Sequence, residues 1–391
     1  MGQFKLAIVE TPQDAKDFIL VNVIINKNSS DYIRPLNKDI NDVFDPLRNK
    51  TFRHGWIQRW ILRDAQGVLI GRIAAFINLR YQIIADNFLV GGIGFFDCIY
   101  DHQAAKILFD AAKDWLQLQG IVAMDGPINF GEQDRWWGLL VEGFQNPLYL
   151  MNYNLPYYQE LFEAYGFEEF YNQLCYNITL SSSLKPIWYK IHSRYENNPE
   201  FSIQYIDKNN FKKFSCDFKE MLYAGKFTQG LSGEAESELV FDLLKKMFLF
   251  SDNQTVLLAY HHERPIAVLF SIPDLNQFIK YLNGKFGFLQ IAKLLCLKHF
   301  KPCNKVIGMI HAIIPEFQKT GITVYLSYKL LEGILQSPKS QYTEYEMKWI
   351  GDFNPKMHHQ MEKIGLMYKS RVLTTYRYLF DKKTRSLNLL H

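Results

Sequence analysis

The stretch Ile313-Ile314-Pro315-Glu316-Phe317-Gln318-Lys319-Thr320-Gly321-Ile322-Thr323 lies between a nearly continuous apolar run, Val306–Ile314, and a segment with helical periodicity from about Ile322 to Gln336. The apolar run predicts a strand buried on both faces. A strand-to-helix junction gathers unpaired backbone N–H groups and the positive end of the helix dipole at one point, which makes it an anion site. Gly321 lets the main chain come close to a phosphate, and Thr323 adds a short hydroxyl at the helix start.

Working outward, the C-terminal half predicts a strand at 201–206, mainly helix over 211–250, a hairpin of 255–260 with 266–271 around His261-His262-Glu263-Arg264, and the strand, loop and helix above. Strand 343–350, helix 355–364 stopped by Gly365, and strand 372–380 complete it. The N-terminal half has the same order. Strand 4–9, helix 12–23 and a polar loop lead to a hairpin of 56–62 with 68–77. Strand 93–99 runs into a helix with Asp101 as N-cap and apolar Ala104, Leu108, Ala111, Trp115 and Leu118. Strand 121–124, helix 156–165 and strand 174–180 follow. A recurrence over roughly 200 residues is far beyond solenoid periods and predicts two copies of one mixed α/β unit. The boundary is expected near Ser181–Pro186, giving an N-terminal domain of 1–183 and a C-terminal domain of 184–391.

Gln318-Lys319-Thr320-Gly321-Ile322-Thr323 resembles the Q/R-x-x-G-x-G/A pyrophosphate loop of the GNAT superfamily of acyl-CoA N-acyltransferases, with Thr323 where Gly or Ala is usual. Pro315-Glu316-Phe317 matches the usual lead-in. Asn354 and the segment ending Gly365-Leu366 resemble the last motif of the superfamily. There Met361 occupies the position of a tyrosine that protonates the departing thiolate in many relatives. The resemblance implies two GNAT-like domains in tandem, each a mixed, mostly antiparallel sheet flanked by helices. It implies acetyl-CoA or a longer acyl-CoA held by Ile313, Ile314, Gln318, Lys319, Thr320, Gly321, Ile322, Thr323 and Asn354, with the amides near Ile313 and Ile314 polarising the thioester carbonyl. Asn354 also reads as a simple N-cap. His311 and Glu346 are candidate bases, each with a structural alternative, and Tyr345 and Tyr368 are candidate acids. The N-terminal copy runs from its strand into Tyr100-Asp101-His102-Gln103-Ala104-Ala105 with no glycine, although its segment 151–167 still resembles the last motif. One cofactor per chain is therefore expected, and the tandem arrangement resembles that of Fem-type aminoacyl transferases and N-myristoyltransferases. The implied reaction is acyl transfer to an amine of a small molecule or peptide. The alternatives are an inactive acyl-CoA-binding protein and an aminoacyl-tRNA-dependent Fem-like transferase.

The loop Gly126–Gly138 holds Asn129, Arg135, Trp136 and Trp137, a composition suited to an acceptor pocket or to a self-packed plug. The segment Lys285–Phe300, with Phe288, Ile291, Leu294, Leu295 and Leu297 beside Lys293 and Lys298, predicts an amphipathic helix that covers core, lids an acyl chain or touches a membrane weakly. With 48% hydrophobic and 21% charged residues and a net charge of +4 among 391 residues, the chain reads as globular, with no basic stripe for DNA. The odd set Cys98, Cys175, Cys216, Cys296 and Cys303 lacks a C-x-x-C pair and reads as reduced thiols. His261-His262 and His358-His359, the latter near Glu362, place no third ligand, so no metal is expected. No leader or span-length apolar run is visible, and a cytoplasmic protein without stable membrane insertion is expected. Oligomeric state is not legible.

Overall fold

The structure is a computed structural model and describes residues 4–381 apart from 82–87, 181–185, 208, 225–251, 337–340, 356 and 360–366. The N-terminal half comprises β1 (Phe4–Ile8), α1 (Pro12–Asn26), α2 (Asn37–Phe44), β2 (Gly55–Asp64), β3 (Leu69–Asn78), β4 (Val90–Cys98), α3 (His102–Leu118), β5 (Ala123–Gly126), β6 (Leu139–Glu142), α4 (Tyr158–Tyr165) and β7 (Glu168–Thr179). The C-terminal half follows with α5 (Pro186–Glu196), β8 (Phe201–Tyr205), α6 (Phe211–Ala224), β9 (Val256–His261) and β10 (Arg264–Pro273). It continues with a one-turn α7 (Asn276–Ile279), α8 (Phe288–Phe300), β11 (Lys305–Ile313), α9 (Ile322–Gln336), β12 (Glu344–Gly351) and β13 (Met367–Leu379).

Local chemistry sets the ends of these elements. Thr11 and Asp14 form a reciprocal capping box with Pro12 in the first turn of α1, and α4 stops at Gly166, whose φ of 107° is left-handed. The expected polar loop before β2 contains α2, whose Ile40 and Val43 are buried; eight residues are too few for a clear periodic signal. The helix expected over 211–250 is described as far as Ala224, and the rest, like Met361, Glu362, Gly365 and Ser181–Leu184, lies outside the described residues.

The mixed α/β architecture carries a feature that no local pattern encodes. The strands form one sheet in the order β1-β2-β3-β4-β5-β13-β7-β12-β11-β10-β9-β8. Each half gives its last strand to the other. β13 pairs antiparallel with β5, and β7 with β12, while β7 and β13 pair with each other from Met367↔Ile178 to Arg377↔Glu168. The order is therefore two copies of one pattern placed back to back. Buried ion pairs sit along the seam: Arg377 contacts Asp125 of β5 at 2.6 and 2.8 Å, and Arg371 contacts Glu346 of β12 at 2.7 Å.

Candidate functional site

β11 and β12 run parallel only from Lys305↔Glu344 to Gly308↔Met347; beyond that point β11 keeps its antiparallel partner β10 and leaves β12, opening a fork. The ladder slips by one residue opposite Phe270/Ser271, which makes Met309 a bulge at the point of departure. The N-terminal half repeats the device: β4 and β5 are parallel only over Val90–Gly92, and the β3–β4 ladder slips where Phe95 takes a φ of 51°.

Past the fork, β11 enters a one-turn 3-10 helix, Pro315–Phe317, and then the loop at which α9 begins. Lys319 and Gly321 have φ of 67° and 95°, so the backbone turns through the left-handed region twice in three residues. The first amides of α9 to bond back are Val324 and Tyr325, both to the Gly321 carbonyl, which leaves the preceding helix-start amides without an intrahelical acceptor. α5 braces this loop: the Tyr195 hydroxyl donates to the Thr320 carbonyl at 2.9 Å, and Ile191 lies 3.4 Å from where a Cβ on Gly321 would sit. Gln318 and Lys319 are exposed, Ile322 and Thr323 are buried, and the Thr320 hydroxyl is occupied by the Phe317 carbonyl at 2.7 Å. Asn354 Oδ1 accepts from the Met357 amide at 3.3 Å, the bond of an N-cap.

The two residues expected to polarise a carbonyl differ. Ile314 N–H donates to the Ile266 carbonyl at 3.0 Å and is occupied. In that ladder the neighbouring Ile313 amide is turned to the opposite edge of β11, toward the fork. Of the two, the Ile313 amide is the one that faces the fork.

The four candidate acids and bases differ in their surroundings. Both ring nitrogens of His311 are buried with no partner among the described residues, and burial pushes its pKa down to about 4, so at neutral pH it is an uncharged imidazole with a free lone pair. Glu346 is fully buried and accepts from Lys305 Nζ at 2.7 Å, Arg371 Nε at 2.7 Å and Ser370 Oγ at 2.9 Å. Burial raises its carboxyl, but the charges of Arg371 and Lys305 outweigh burial and the net direction is down. Through these bonds Glu346 joins β11, β12 and β13. Tyr345 is buried, its hydroxyl fills the space a Cβ on Gly308 would need, and burial raises its pKa to about 12. Tyr368 is 54% exposed. The rows Glu346–Asn177–Tyr368 and Tyr345–Ile178–Met367 place the two tyrosines on opposite faces of the sheet.

Of the four loop residues expected to line an acceptor pocket, Trp136 lines a cavity with Tyr32, Asp39, Tyr149, Asn276 and Ile279, at the N-terminal fork and against α7. The void is about 60 Å³, room for a few waters. Trp137 turns away to donate from Nε1 to the Tyr171 hydroxyl at 2.7 Å. Asn129 and Arg135 are held within their own loop, by the Glu132 carbonyl at 3.2 Å and the Glu132 carboxylate at 3.1 Å. The loop is largely self-packed.

The sequence placed no third ligand beside His261 and His262, and the structure brings Glu200 to them, with the three ligand atoms within 4.8 Å of one another. Glu200 is distant in sequence from the hairpin, so spacing carried no signal of it. His358 has both ring nitrogens engaged, one with the Tyr176 hydroxyl at 2.8 Å and one with the Gly351 carbonyl at 2.9 Å.

No family model matches the chain. A solved tandem GNAT protein from the clavulanic acid biosynthesis pathway is similar with a TM-score of 0.54, over 97% of this chain and 99% of that one at 8% identity. The chain has the tandem GNAT fold. Two curated proteins are similar in sequence along nearly the whole tandem GNAT arrangement. Protein YghO of Escherichia coli K12 is 27% identical over 373 residues, 90% of each chain. A Caulobacter vibrioides protein named bacterial ceramide synthase is 25% identical over 361 residues, 91% of this chain and 93% of its own.

Proposed function

We propose that this protein is an acyl-CoA-dependent N-acyltransferase whose C-terminal half holds the cofactor and whose acceptor is a long-chain amine. The observation that carries the cofactor half of the reading is the loop Gln318–Thr323. It joins a forked strand to a helix start whose first amides are unbonded, an arrangement suited to pyrophosphate. A thioester lying along β11 would meet the free Ile313 amide, which stabilises negative charge developing on its carbonyl oxygen. The amine nitrogen attacks the carbonyl carbon, the C–N bond forms, His311 takes the amine proton, and the C–S bond breaks. The thiolate then takes that proton from the His311 imidazolium by way of water, which restores the neutral imidazole. Tyr345, raised to about 12, is a poor donor to a thiolate.

The acceptor class rests on the relative named bacterial ceramide synthase, since a ceramide is the amide of a long-chain amino alcohol and a fatty acid. The placement of Tyr345 and Tyr368 on opposite faces favours a second reading, a tandem GNAT protein that binds acyl-CoA without turnover. Mass spectrometry after incubation with acetyl-CoA or palmitoyl-CoA and either a long-chain amino alcohol or a free-amine peptide separates the readings. An amide product with the amino alcohol, absent in Gly321→Glu and in the exposed charge reversal Lys319→Asp, is the expected result. Thermal stabilisation by acyl-CoA with no amide from either amine would leave binding alone.

A further inference from the structure

α8 is inverted relative to a helix that covers a core. Of its thirteen residues Leu294 is the buried one, while Phe288 is 86% exposed, Leu289 75%, Leu295 42% and Phe300 79%. Phe288, Leu289, Ala292, Leu295, Cys296 and Phe300 recur at spacings of three and four, so they form one outward stripe. A contiguous exposed apolar stripe of this kind marks an interaction surface.

Its charge environment selects the partner. From Leu275 to Pro315 the chain contains no Asp or Glu, and Lys280, Lys285, Lys293 and Lys301 are exposed around the helix. Tyr281, 41% exposed, carries the ammonium groups of Lys280 and Lys301 over its ring at 5.4 and 5.3 Å. A second copy of the chain meeting this face with its own would bring the same cations against each other. An anionic bilayer instead offers hydrocarbon to the stripe and phosphates to the lysines.

We infer that α8 is a membrane-surface docking helix that lies in the headgroup region of an anionic bilayer. It does not cross one: among the described residues no helix is long and apolar enough to do so. α7, packed beside α8, contributes Asn276 and Ile279 to the cavity at the N-terminal fork, so docking brings that opening close to the lipid. The inference stands on α8 and its lysines and does not depend on catalysis.

The test is co-sedimentation of the full chain with vesicles of phosphatidylglycerol and phosphatidylcholine in equal parts, against vesicles of phosphatidylcholine alone. The wild type is expected to bind the anionic vesicles at least about tenfold more tightly, with binding weakened by salt. Replacing Phe288→Ser, Leu289→Ser and Phe300→Ser together is expected to lower that affinity by about tenfold or more. Its thermal midpoint should stay unchanged, because these side chains face water; Phe288→Ser alone gives the same direction if the triple variant fails to fold. Absence of vesicle binding, equal binding by the variant, equal binding to both vesicle types, or a wild-type dimer in light scattering that the triple variant abolishes would each overturn the inference.

Discussion

The two forks of the sheet are built alike and end differently. Both have a strand that bulges as it leaves its parallel neighbour, at Phe95 in β4 and at Met309 in β11. Both carry a buried acid on the second prong, Asp125 on β5 and Glu346 on β12, each clamped by an arginine from β13. The following helices part company. α3 begins with Asp101, whose carboxylate accepts from the amides of Gln103 and Ala104 at 2.8 and 2.9 Å, so its N-terminus is filled by the chain's own anion. α9 begins after Lys319 and Gly321 in left-handed conformations, with no acidic residue in its first turn. The lesson is that two like forks can lead into helix starts of different chemistry: one is capped by its own carboxylate, and the other is preceded by a left-handed glycine turn.

Removing the anchor gives the largest expected effect. Glu346→Ala leaves Lys305 and Arg371 buried without their shared partner and is expected to cost about 3–5 kcal/mol in denaturant unfolding. A loss under about 1 kcal/mol would mean that the C-terminal fork does not depend on its ions.

The next effect is a pH dependence. Burial lowers His311 from 6.5 to about 4, so below the unfolded value the unfolded chain binds this proton and the folded chain does not. Folding stability therefore falls as pH drops from about 6.5 toward 4, by about 3 kcal/mol from this residue, and levels off below. His311→Gln should flatten that part of the stability–pH curve; an unchanged slope would show that the imidazole is not desolvated.

Binding of acetyl-CoA followed by calorimetry is expected to give one site per chain, lost by about 100-fold or more in Gly321→Glu, where a carboxylate and a strained φ meet the phosphate position. Two sites, or one that survives the change, would break the contrast between the forks. The smallest effect sharpens it. Asp101→Ala should cost about 1 kcal/mol of stability through the lost cap and leave the stoichiometry at one, since α3 has no glycine turn before it.

Much of this was readable along the chain because it depends on near neighbours. The apolar run of β11, the turn glycine, the span of α9 and the Asp101 cap are decided by side chains a few residues apart, and all appear where the pattern placed them. α2 escaped because about two turns of helix are too short to show a period. The candidate acids and bases escaped for another reason. The sequence left Glu346 as a base or a structural residue, and its contact with Arg371 across the sheet is one that no spacing in the sequence records.

By itself, then, the sequence determined the place of the loop, its turn glycine and the repeated order of elements, since backbone propensity and hydrophobic period act over a few residues. Only the tertiary structure decided the exchange of β7 and β13, the burial that neutralises His311, the union of Glu200 with His261 and His262, and the outward face of α8. Each of these is set by contacts between segments distant in sequence, and the free energy of such contacts depends on what is packed beside a residue rather than on which residues precede it.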